Sequence, residues 1–367
     1  MSAILGSLLK RYYFERLADI RAPARAPERE FGYFRPGSGM VRHISVRDDA
    51  GLRLLLSQNA PPDVYCSNAY YAFPELPMRE KEWRGADLIF DVDAKDLALP
   101  CRAEHAVRVC ECSRVHARAE CPHCGSQKSQ ARSLPCKKCI KAAWDEVEKL
   151  LKILEEDLGI TGAIAYFSGN EGFHVHVEDP GTYKLGSKER LEIADYVSFR
   201  GAIPELVGLP RNAEKKKKPA KPAEPGDPGW PGRYARHALA SKAARSRAKK
   251  EAESGGYQLA QARLAEAAPV IGARIDPGVT TDVHRIFRLA GTVNGKSGLS
   301  KIPWEGEGDP YEAAALLGGD PREVVAECPV RFALGGSRFG PFEHGRVRVP
   351  AYAAAYMICK GLASDPA

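Results

Sequence analysis

Hydrophobic residues recur at helical spacing in three stretches of the chain. Residues 4–19 carry apolar side chains every three or four positions, and residues 352–359 form an apolar run near the C-terminus. Between them lies one long stripe with 3, 4, 3, 4 spacing, made of Trp144, Val147, Leu151, Leu154 and Leu158. Gly159 follows this stripe and can end the helix in a left-handed conformation. The pattern therefore predicts an N-terminal helix, a central amphipathic helix and a closing helix.

Alternating or continuously apolar runs predict strands around these helices. The runs are 28–48 (divided by a turn at Pro36 and Gly37), 63–67, Leu88–Asp93, Ala163–Phe167 and Phe173–Val177. Between residues 88 and 177 the predicted order is strand, helix, strand, strand. This order favours a mixed sheet with helices on its faces, so the predicted fold class is α/β with an α+β mixed sheet.

Two segments of unusual composition interrupt the pattern. Residues 97–140 are rich in cysteine, and residues 186–270 are rich in Ala, Lys, Arg and Glu. Within the second segment, five prolines and a lysine run predict a flexible linker at 212–232, because such a sequence cannot bury enough apolar surface to fold. The predicted organisation is a core of residues 1–96, 141–185 and 271–335, insertions at 97–140 and 186–270, and a C-terminal extension at 336–367.

Composition places the chain among globular proteins. Its 367 residues are 44% hydrophobic and 28% charged, with a mean hydropathy of −0.35. No apolar run approaches the roughly 18 residues of a membrane span, and Lys10 and Arg11 precede any signal-peptide core, so we expect a cytoplasmic protein with no membrane partner. The net charge of +7 permits nucleic-acid binding but does not require it.

Two carboxylates at the end of an apolar strand are the first candidate site. Asp91 and Asp93 are two residues apart, so both side chains project from the same face of the strand. They repel each other unless a cation lies between them, and hard oxygen ligands suit Mg²⁺ or Mn²⁺. The alternative is a solvated junction between strand and loop, since the pattern Asp-x-Asp is common.

A glycine-rich turn is the second candidate. Residues 168–172 read Ser-Gly-Asn-Glu-Gly between two predicted strands, where backbone N–H groups and the hydroxyl of Ser168 can hold a phosphate. His174 and His176 follow on one face of the next strand. The alternative is an ordinary hairpin with two half-buried histidines.

A third carboxylate is followed by cationic residues. Asp276 stands before Pro277, where a central strand would stop, and Arg285, Arg288 and Lys296 come after it. A carboxylate beside cations that hold phosphate fits a two-metal site. A surface loop with ordinary salt bridges is the alternative.

Cysteine spacing predicts bound zinc. Seven of the ten cysteines lie between Cys101 and Cys139, and in a chain expected to remain in the cytosol such crowding favours a metal over disulfides. The preferred ligands are two Cys-x-x-Cys knuckles in a structural site: Cys121, Cys124, Cys136 and Cys139. Further candidates leave the ligand set open, so that one or two zinc ions can be accommodated: Cys101, His105, Cys110, Cys112 and His116.

The order of these motifs resembles the small catalytic subunit of archaeal and eukaryotic-type DNA primase. The matching motifs are Phe-Asp-Val-Asp at 90–93, the cysteine insertion, Glu-Asp-Leu-Gly at 156–159, Ser-Gly-Asn-x-Gly-x-His-x-His at 168–176 and Ile-Asp-x-x-Val-Thr-x-Asp-x-x-Arg-x-x-Arg at 275–288. Arg29-Glu30-Phe31 and the segment 65–71 resemble N-terminal motifs of the same family. The resemblance runs from about residue 10 to residue 304, apart from the two insertions.

This resemblance implies roles for individual residues. Asp91, Asp93 and Asp276 correspond to the family's metal-binding catalytic aspartates. The residues that correspond to its triphosphate contacts, or are expected beside them, are Ser168, His174, Arg288 and Lys296. Two positions depart from the family pattern: Glu171 replaces a frequent Arg, and Asn294 replaces a common His. Since Asn cannot be cationic, we expect weaker nucleotide binding or more reliance on Lys296.

The resemblance also implies an activity and partners. We expect a nucleotidyltransferase that synthesises short primers on a single-stranded DNA template from nucleoside triphosphates, in a heterodimer with a primase large subunit. A related repair-type polymerase of the same superfamily would keep the three aspartates but require an existing primer. A non-catalytic nucleic-acid-binding module, in which the zinc ribbon contacts the nucleic acid, is the second alternative.

Overall fold

Antiparallel strands alternate with helices along the chain, in a computed structural model that describes residues 1–207 and 223–366. The first half contains α1 (Ala3–Glu15), β1 (Glu30–Arg35), β2 (Gly39–Ser45), α2 (Asp49–Asn59), β3 (Val64–Ser67), β4 (Ala69–Tyr71), β5 (Trp83–Ala86), β6 (Leu88–Asp93), β7 (Ala106–Cys110), β8 (Val115–His116), β9 (Ser129–Ser133), α3 (Lys137–Leu158), β10 (Ala163–Phe167), β11 (Gly172–Val177) and α4 (Ser187–Val197). The second half contains α5 (Gly229–Ala238), α6 (Lys242–Ile271), α7 (Pro277–Thr281), β12 (Ile286–Arg288), β13 (Val293–Asn294), β14 (Leu299–Ser300), β15 (Ile302–Pro303), α8 (Pro310–Ala313), β16 (Pro321–Cys328), β17 (Phe332–Leu334), β18 (Ser337–Phe339), β19 (Phe342–Pro350), α9 (Ala351–Lys360) and β20 (Ala363–Ser364). Among the helices in these ranges, none is both long and apolar enough to cross a membrane.

The central sheet has the strand order β15-β10-β11-β6. After β6 the chain passes through the cysteine insertion, and the long helix α3 then leads to β10. Strand β11 returns from β10 as a hairpin and lies between β10 and β6. The predicted α/β class is confirmed, but the sheet differs from the mixed one we expected. Because β11 lies between β10 and β6 and runs opposite to both, each pair of neighbouring strands in this sheet is antiparallel.

A second antiparallel sheet, of order β12-β3-β1-β2, forms the N-terminal side of the molecule. Its core includes Phe31 and Val64 from the sheet, and Leu8, Leu9 and Leu56 from α1 and α2. Helix α1 is shorter than the predicted 4–19, while the predicted strands on either side of the turn at Pro36 are observed as β1 and β2. Strand β12 adds residues distant in the sequence to this sheet, which joins it to the region of the third carboxylate.

Helix α3 covers one face of the central sheet. Its fully buried residues include Val147, Leu150 and Leu154, which pack with the inward-facing residues of β6 and β11. The buried face differs from the predicted stripe in two respects. It also contains Leu150 and Ile153, and it does not contain Leu158, which is 37% exposed at the end of the helix. The helix ends at Gly159 (φ 69°), as predicted, where the N–H of the following residue donates to the carbonyl of Leu154 in a left-handed cap.

Parts of the predicted linker and of the predicted C-terminal extension lie in regular elements of the described structure. Residues 212–222 of the predicted linker lie outside the described part of the chain, and its last four residues, 229–232, form the first turn of α5. The predicted helix at 352–359 is observed as α9. The boundary proposed at 335/336 divides paired strands, since β17 pairs with β18 and β16 pairs with both β19 and β20.

Two leucines on α3 provide a test of this packing. Leu154→Ala leaves a cavity in the core, so we expect it to lower the free energy of unfolding by about 2–5 kcal/mol. The matched change Leu158→Ala, at the exposed end of the same helix, is expected to cost less than about 1 kcal/mol. Chemical denaturation of both variants measures the difference, and equal losses would contradict the buried face described above.

Candidate functional site

Strand β6 presents its two carboxylates on the face opposite α3. Phe90 and Val92 point into the core and are fully buried, whereas the alternate residues Asp91 and Asp93 remain partly accessible. The two-residue period of a strand produces this division. Both carboxylates therefore lie on one open face at the end of the strand, as predicted.

The third carboxylate joins them at the free edge of β6. The backbone N–H of Asp276 donates to the carbonyl of Asp91 at 2.9 Å, so the segment before α7 runs along the strand. The Asp276 side chain caps α7 by accepting from the N–H of Gly278 at 2.9 Å. The structure thus brings together three aspartates, of which the first and the last are 185 residues apart in the sequence.

The electrostatics of this group suit a bound cation. Burial, followed by the negative charge of Asp93, raises the pKa of Asp91 to about 7. The Oδ1 atom of Asp91 is buried and accepts no hydrogen bond from the described residues. Lys95 donates a short hydrogen bond to Asp93 but leaves this atom unsatisfied. An orphaned carboxylate oxygen beside two further carboxylates is the donor set that Mg²⁺ or Mn²⁺ accepts.

The glycine-rich turn lies beside the carboxylates because of strand register. Gly172 pairs with Asp93, and His174 pairs with Asp91, so the turn between β10 and β11 meets the end of β6. A side chain at Gly172 would overlap the carbonyl of Val92, and Gly169 adopts a φ of 82°. Both positions therefore require glycine.

His174 is held as a neutral ring. Burial lowers its pKa well below the usual value, and the nearby charges of Lys301, Arg288 and Arg285 lower it further. Its Nε2 lies 3.4 Å from Oδ1 of Asp91, while its Nδ1 is buried without a partner among the described residues. A neutral imidazole with one unsatisfied nitrogen can bind a substrate atom at this position.

The two departures from the family pattern are accommodated by their surroundings. Glu171 lies between the cations of Arg102, at 3.5 Å, and Lys360, at 3.8 Å, so its negative charge is opposed on two sides. The Asn294 amide donates to the carbonyl of Ser168 at 3.1 Å and accepts from the N–H of Lys296 at 3.0 Å. The negative charge of Glu171 is therefore opposed by neighbouring cations, and the Asn294 amide holds the turn. The expected loss of nucleotide affinity stays a prediction, because Asn294 adds no positive charge.

The two predicted phosphate-binding cations differ in their settings. Arg288 is buried, forms a short ion pair with Asp63 and donates to the carbonyl of Val293 at 2.8 Å. Lys296 is exposed at the end of the loop that contacts the turn. The structure thus leaves Lys296 accessible to a ligand, whereas the Arg288 guanidinium is held inside the protein.

Sequence reasoning did not identify three cations near this face. Lys301 is buried and hydrogen-bonds to Nε2 of His176 at 2.9 Å, and burial lowers its pKa to about 7. Lys360 donates to the side chain of Asn170 at 2.8 Å, and Arg102 reaches Glu171. Lys301 closely follows a predicted motif and could have been considered, but no pattern connects Arg102 or Lys360 with a turn so far away in sequence.

The cysteine insertion contains two separate clusters with metal-binding geometry. One consists of Cys101, His105, Cys136 and Cys139, and the other consists of Cys110, Cys112, Cys121 and Cys124. Within each cluster the ligand atoms lie within 4.8 Å of one another. Neighbouring sulfurs in the second cluster are 3.5 and 3.8 Å apart, close to the roughly 3.8 Å expected between thiolates around one zinc with Zn–S bonds of about 2.3 Å.

The preferred zinc ligand set is wrong as a single site. Cys121 and Cys124 belong to the second cluster, whereas Cys136 and Cys139 belong to the first, because Cys139 lies on α3 and the other knuckle lies in the connection between β8 and β9. Of the further candidates named from the sequence, Cys101 and His105 belong to the first cluster, and Cys110 and Cys112 belong to the second. His116 belongs to neither, and its Nδ1 contacts the carbonyl of Arg118 at 3.0 Å.

Comparison with known proteins finds one family along the chain. The sequence profile described as DNA primase small subunit matches residues 128–305. The chain is 51% identical over 366 residues to the DNA primase small subunit PriS of Cenarchaeum symbiosum (strain A), with 98% of each chain covered. It is 49% identical to that of Nitrosopumilus maritimus (strain SCM1), covering 98% of this chain and 97% of the relative. The profile begins after Asp93, so similarity around the first two aspartates comes from these longer alignments.

The Asn294 amide offers a test of how the turn is held. Asn294→Ala removes a buried donor and leaves the carbonyl of Ser168 unsatisfied, so we expect the free energy of unfolding to fall by about 1–3 kcal/mol. Denaturant unfolding of the full chain measures this loss. An unchanged midpoint would show that the amide does not anchor the turn.

Proposed function

Because this chain belongs to the DNA primase small subunit family and is its catalytic, nucleotidyltransferase subunit, we propose that it joins nucleotides at the three aspartates on and beside β6. The predicted family and activity are thereby confirmed. Relatives that cover 98% of the chain favour the primase over the repair-type polymerase and over a non-catalytic binding module. The observation that carries the proposed site is the junction of Asp276 with Asp91 through a backbone hydrogen bond.

Asp91, Asp93 and Asp276 would hold two divalent cations, Mg²⁺ or Mn²⁺. The unsatisfied Oδ1 of Asp91 and the mutual repulsion of the carboxylates support this role. When bound, such ions polarise an attacking 3′-hydroxyl and neutralise charge on the leaving pyrophosphate. The aspartates themselves fix the position of the reacting groups on one rigid strand edge.

The turn at 168–172 would receive the triphosphate. Ser168 and His174 flank the end of β6, and Lys296 supplies an accessible positive charge next to Asn294. Arg288 would act differently from our first expectation. Since its guanidinium is paired with Asp63, we propose that it positions the loop at 293–295, whose Gly295 N–H donates to the same Asp63 carboxylate at 2.9 Å.

The substrates and partners follow from the family. We propose that the chain copies a single-stranded DNA template from nucleoside triphosphates and forms a heterodimer with a primase large subunit. Asp93 and Asp91 keep 19% and 18% of their side-chain surface exposed on one face of β6, which supports binding of these substrates there. Template-directed synthesis requires that both the template and the nucleotide bind near these carboxylates.

The two cysteine clusters would each bind one structural zinc. Each cluster offers four ligands, which leaves no open coordination position for catalysis. The first zinc would join the start of the insertion to α3, and the second would close the tip of the β7–β8 hairpin. Arg114 fixes this hairpin to β16 through two 2.8 Å hydrogen bonds to Glu327.

Replacing one aspartate tests the proposed catalytic site. Asp93→Asn preserves size but removes a charged metal ligand. We expect primer synthesis to fall at least about 100-fold, since changes in residues that only orient a ligand already cost about 10- to 100-fold. Labelled nucleotides, single-stranded template, Mg²⁺ or Mn²⁺ and the large subunit, without primer, provide the assay.

The matched control for this assay is Asp145→Asn, which changes a carboxylate on the outer surface of α3 whose one ion-pair partner among the described residues is Lys141. It should keep the wild-type rate. Wild-type activity of the Asp93 variant would refute the proposed site, and synthesis by the wild-type protein only when a primer is supplied would favour the repair-type reaction.

Zinc analysis tests the two clusters. The full chain should bind two zinc ions, and Cys101→Ser and Cys110→Ser should each remove about one, because each serine leaves its own cluster with three ligands. Elemental analysis of the purified variants gives the counts. Cys328→Ser, a buried cysteine outside both clusters, should retain both ions, and loss of both ions in either single-cluster variant would contradict two independent sites.

A further inference from the structure

Arg102 connects the first cysteine cluster with the glycine-rich turn. Two of the four cluster residues, Cys101 and His105, belong to the 3₁₀ helix Pro100–His105, and Arg102 lies between them in the sequence. The guanidinium of Arg102 approaches the carboxylate of Glu171 at 3.5 Å. A residue flanked by two candidate metal ligands thus contacts the turn that would receive the triphosphate.

The first cluster attaches this 3₁₀ helix to the start of α3. Its other two ligands are Cys136, which immediately precedes α3, and Cys139, on the first turn of that helix. The Sγ atoms of Cys101 and Cys139 are 3.3 Å apart, and Nε2 of His105 is 3.6 Å from Sγ of Cys139. Because a short 3₁₀ helix has weak internal hydrogen bonds, a metal ion in this cluster would fix the backbone that carries Arg102.

Glu171 is held at its backbone, but its charge is opposed only by cations from distant segments. Its carbonyl accepts from the N–H of Ala94 at 2.9 Å, directly after Asp93. Its side chain is 18% exposed and faces both Arg102 and Lys360, which is 3.8 Å away. If Arg102 is displaced, the carboxylate loses the nearer of these two cations and repels a phosphate on the turn more strongly.

A buried tyrosine forms a second connection between the first cluster and the turn. Tyr311 packs edge-to-face on Phe167 with ring centroids 5.4 Å apart, and Phe167 directly precedes the turn. Burial raises the pKa of Tyr311 well above its usual value, and the nearby negative charges of Glu171, Cys136 and Cys139 raise it further. The ring therefore lies close both to the cluster and to the turn.

The second cluster has no comparable connection. The close contacts between its sulfur atoms stay within the cluster, at 3.5 and 3.8 Å. Arg114, next to it in the β7–β8 hairpin, donates to Glu327 on β16. In the part of the chain that the structure describes, no hydrogen bond or ion pair joins this cluster to residues 168–172. The two metal sites therefore differ in their relation to the catalytic face.

We propose that Arg102 is a positioning residue through which metal binding at the first cluster controls the affinity of the turn for a triphosphate. When the cluster is filled, the 3₁₀ helix holds the guanidinium against Glu171 and opposes its charge beside the phosphates. When the cluster is empty, Arg102 leaves this position and Glu171 repels the phosphates. This inference rests on the proposed function, because it requires that the triphosphate lies on the turn.

Arg102→Gln in the full chain tests the link without removing a metal ligand. We expect the Kd of a fluorescent nucleoside triphosphate with Mg²⁺, measured by anisotropy without template, to rise about five- to tenfold. Lys360 still opposes part of the charge, so binding is weakened rather than abolished. Elemental analysis should show that both zinc ions are retained.

The same change in a Glu171→Gln background separates charge from structure. With no carboxylate to oppose, loss of the guanidinium should raise the Kd less than about twofold. An equal loss of affinity in both backgrounds would show a general structural role of Arg102 and overturn the proposal. The matched control is Arg108→Gln, which changes another arginine of the cysteine insertion, on β7, and should leave the Kd unchanged.

A comparison of the two clusters tests the role of the metal. Cys101→Ser, which is expected to remove about one zinc ion, should raise the Kd of the triphosphate by about the same factor as Arg102→Gln. Cys110→Ser should lose one zinc ion from the second cluster with a smaller effect on this Kd. Equal effects of the two cysteine variants, or wild-type affinity after Cys101→Ser has lost its zinc, would contradict control by the first cluster.

Lys296→Gln distinguishes failure of this inference from failure of the proposed function. If Lys296→Gln weakens triphosphate binding while Arg102→Gln binds like the wild type, the turn remains the phosphate site and the link to the first cluster falls. If neither variant changes the Kd, the triphosphate does not lie on the turn and both proposals fall.

Discussion

The two-residue period of β6 is the constraint on which the catalytic face depends. Phe90 and Val92 must face α3 to complete the core, so Asp91 and Asp93 must face outward together. A shift of the strand by one residue would bury both carboxylates and expose the aromatic ring. Core packing and metal binding are therefore set by the same register, and the buried face holds the strand rigid while its other face remains open for chemistry.

Distant parts of the chain converge on this rigid strand. The pairing of β11 brings the glycine-rich turn to one edge, and the backbone of Asp276 occupies the other. The turn is then held by Asn294 and by the ion pairs of Glu171 with Arg102 and Lys360. The cysteine insertion and the C-terminal helix thus contribute directly to the surroundings of the site, although neither contains a predicted catalytic residue.

The structure changes the meaning of the positions that depart from the family pattern. Glu171 suggested a weakened phosphate site when only its own charge was considered. In the fold it lies between two cations, which sequence comparison alone could not associate with it. Arg288 changes in the opposite direction, because its charge is already matched by Asp63 and it is buried. In both cases the partner, rather than the residue type, decides what the charge can do.

The sequence by itself determined the family, the α/β class, the strand that carries the aspartates and the central helix with its glycine cap. These features depend on local periodicity and on the order of motifs, which are written along the chain. The tertiary structure decided how seven cysteines and a histidine divide into two clusters, which cations surround the turn, and which side of β6 faces the helical insertion. Spacing along the sequence could not show that the two Cys-x-x-Cys knuckles, which begin at Cys121 and Cys136, belong to different clusters. From the sequence alone, the two knuckles could equally well have formed one four-ligand site. Pairings of this kind depend on distances between segments far apart in sequence, and these distances exist only once the sheet and the packing of α3 are formed.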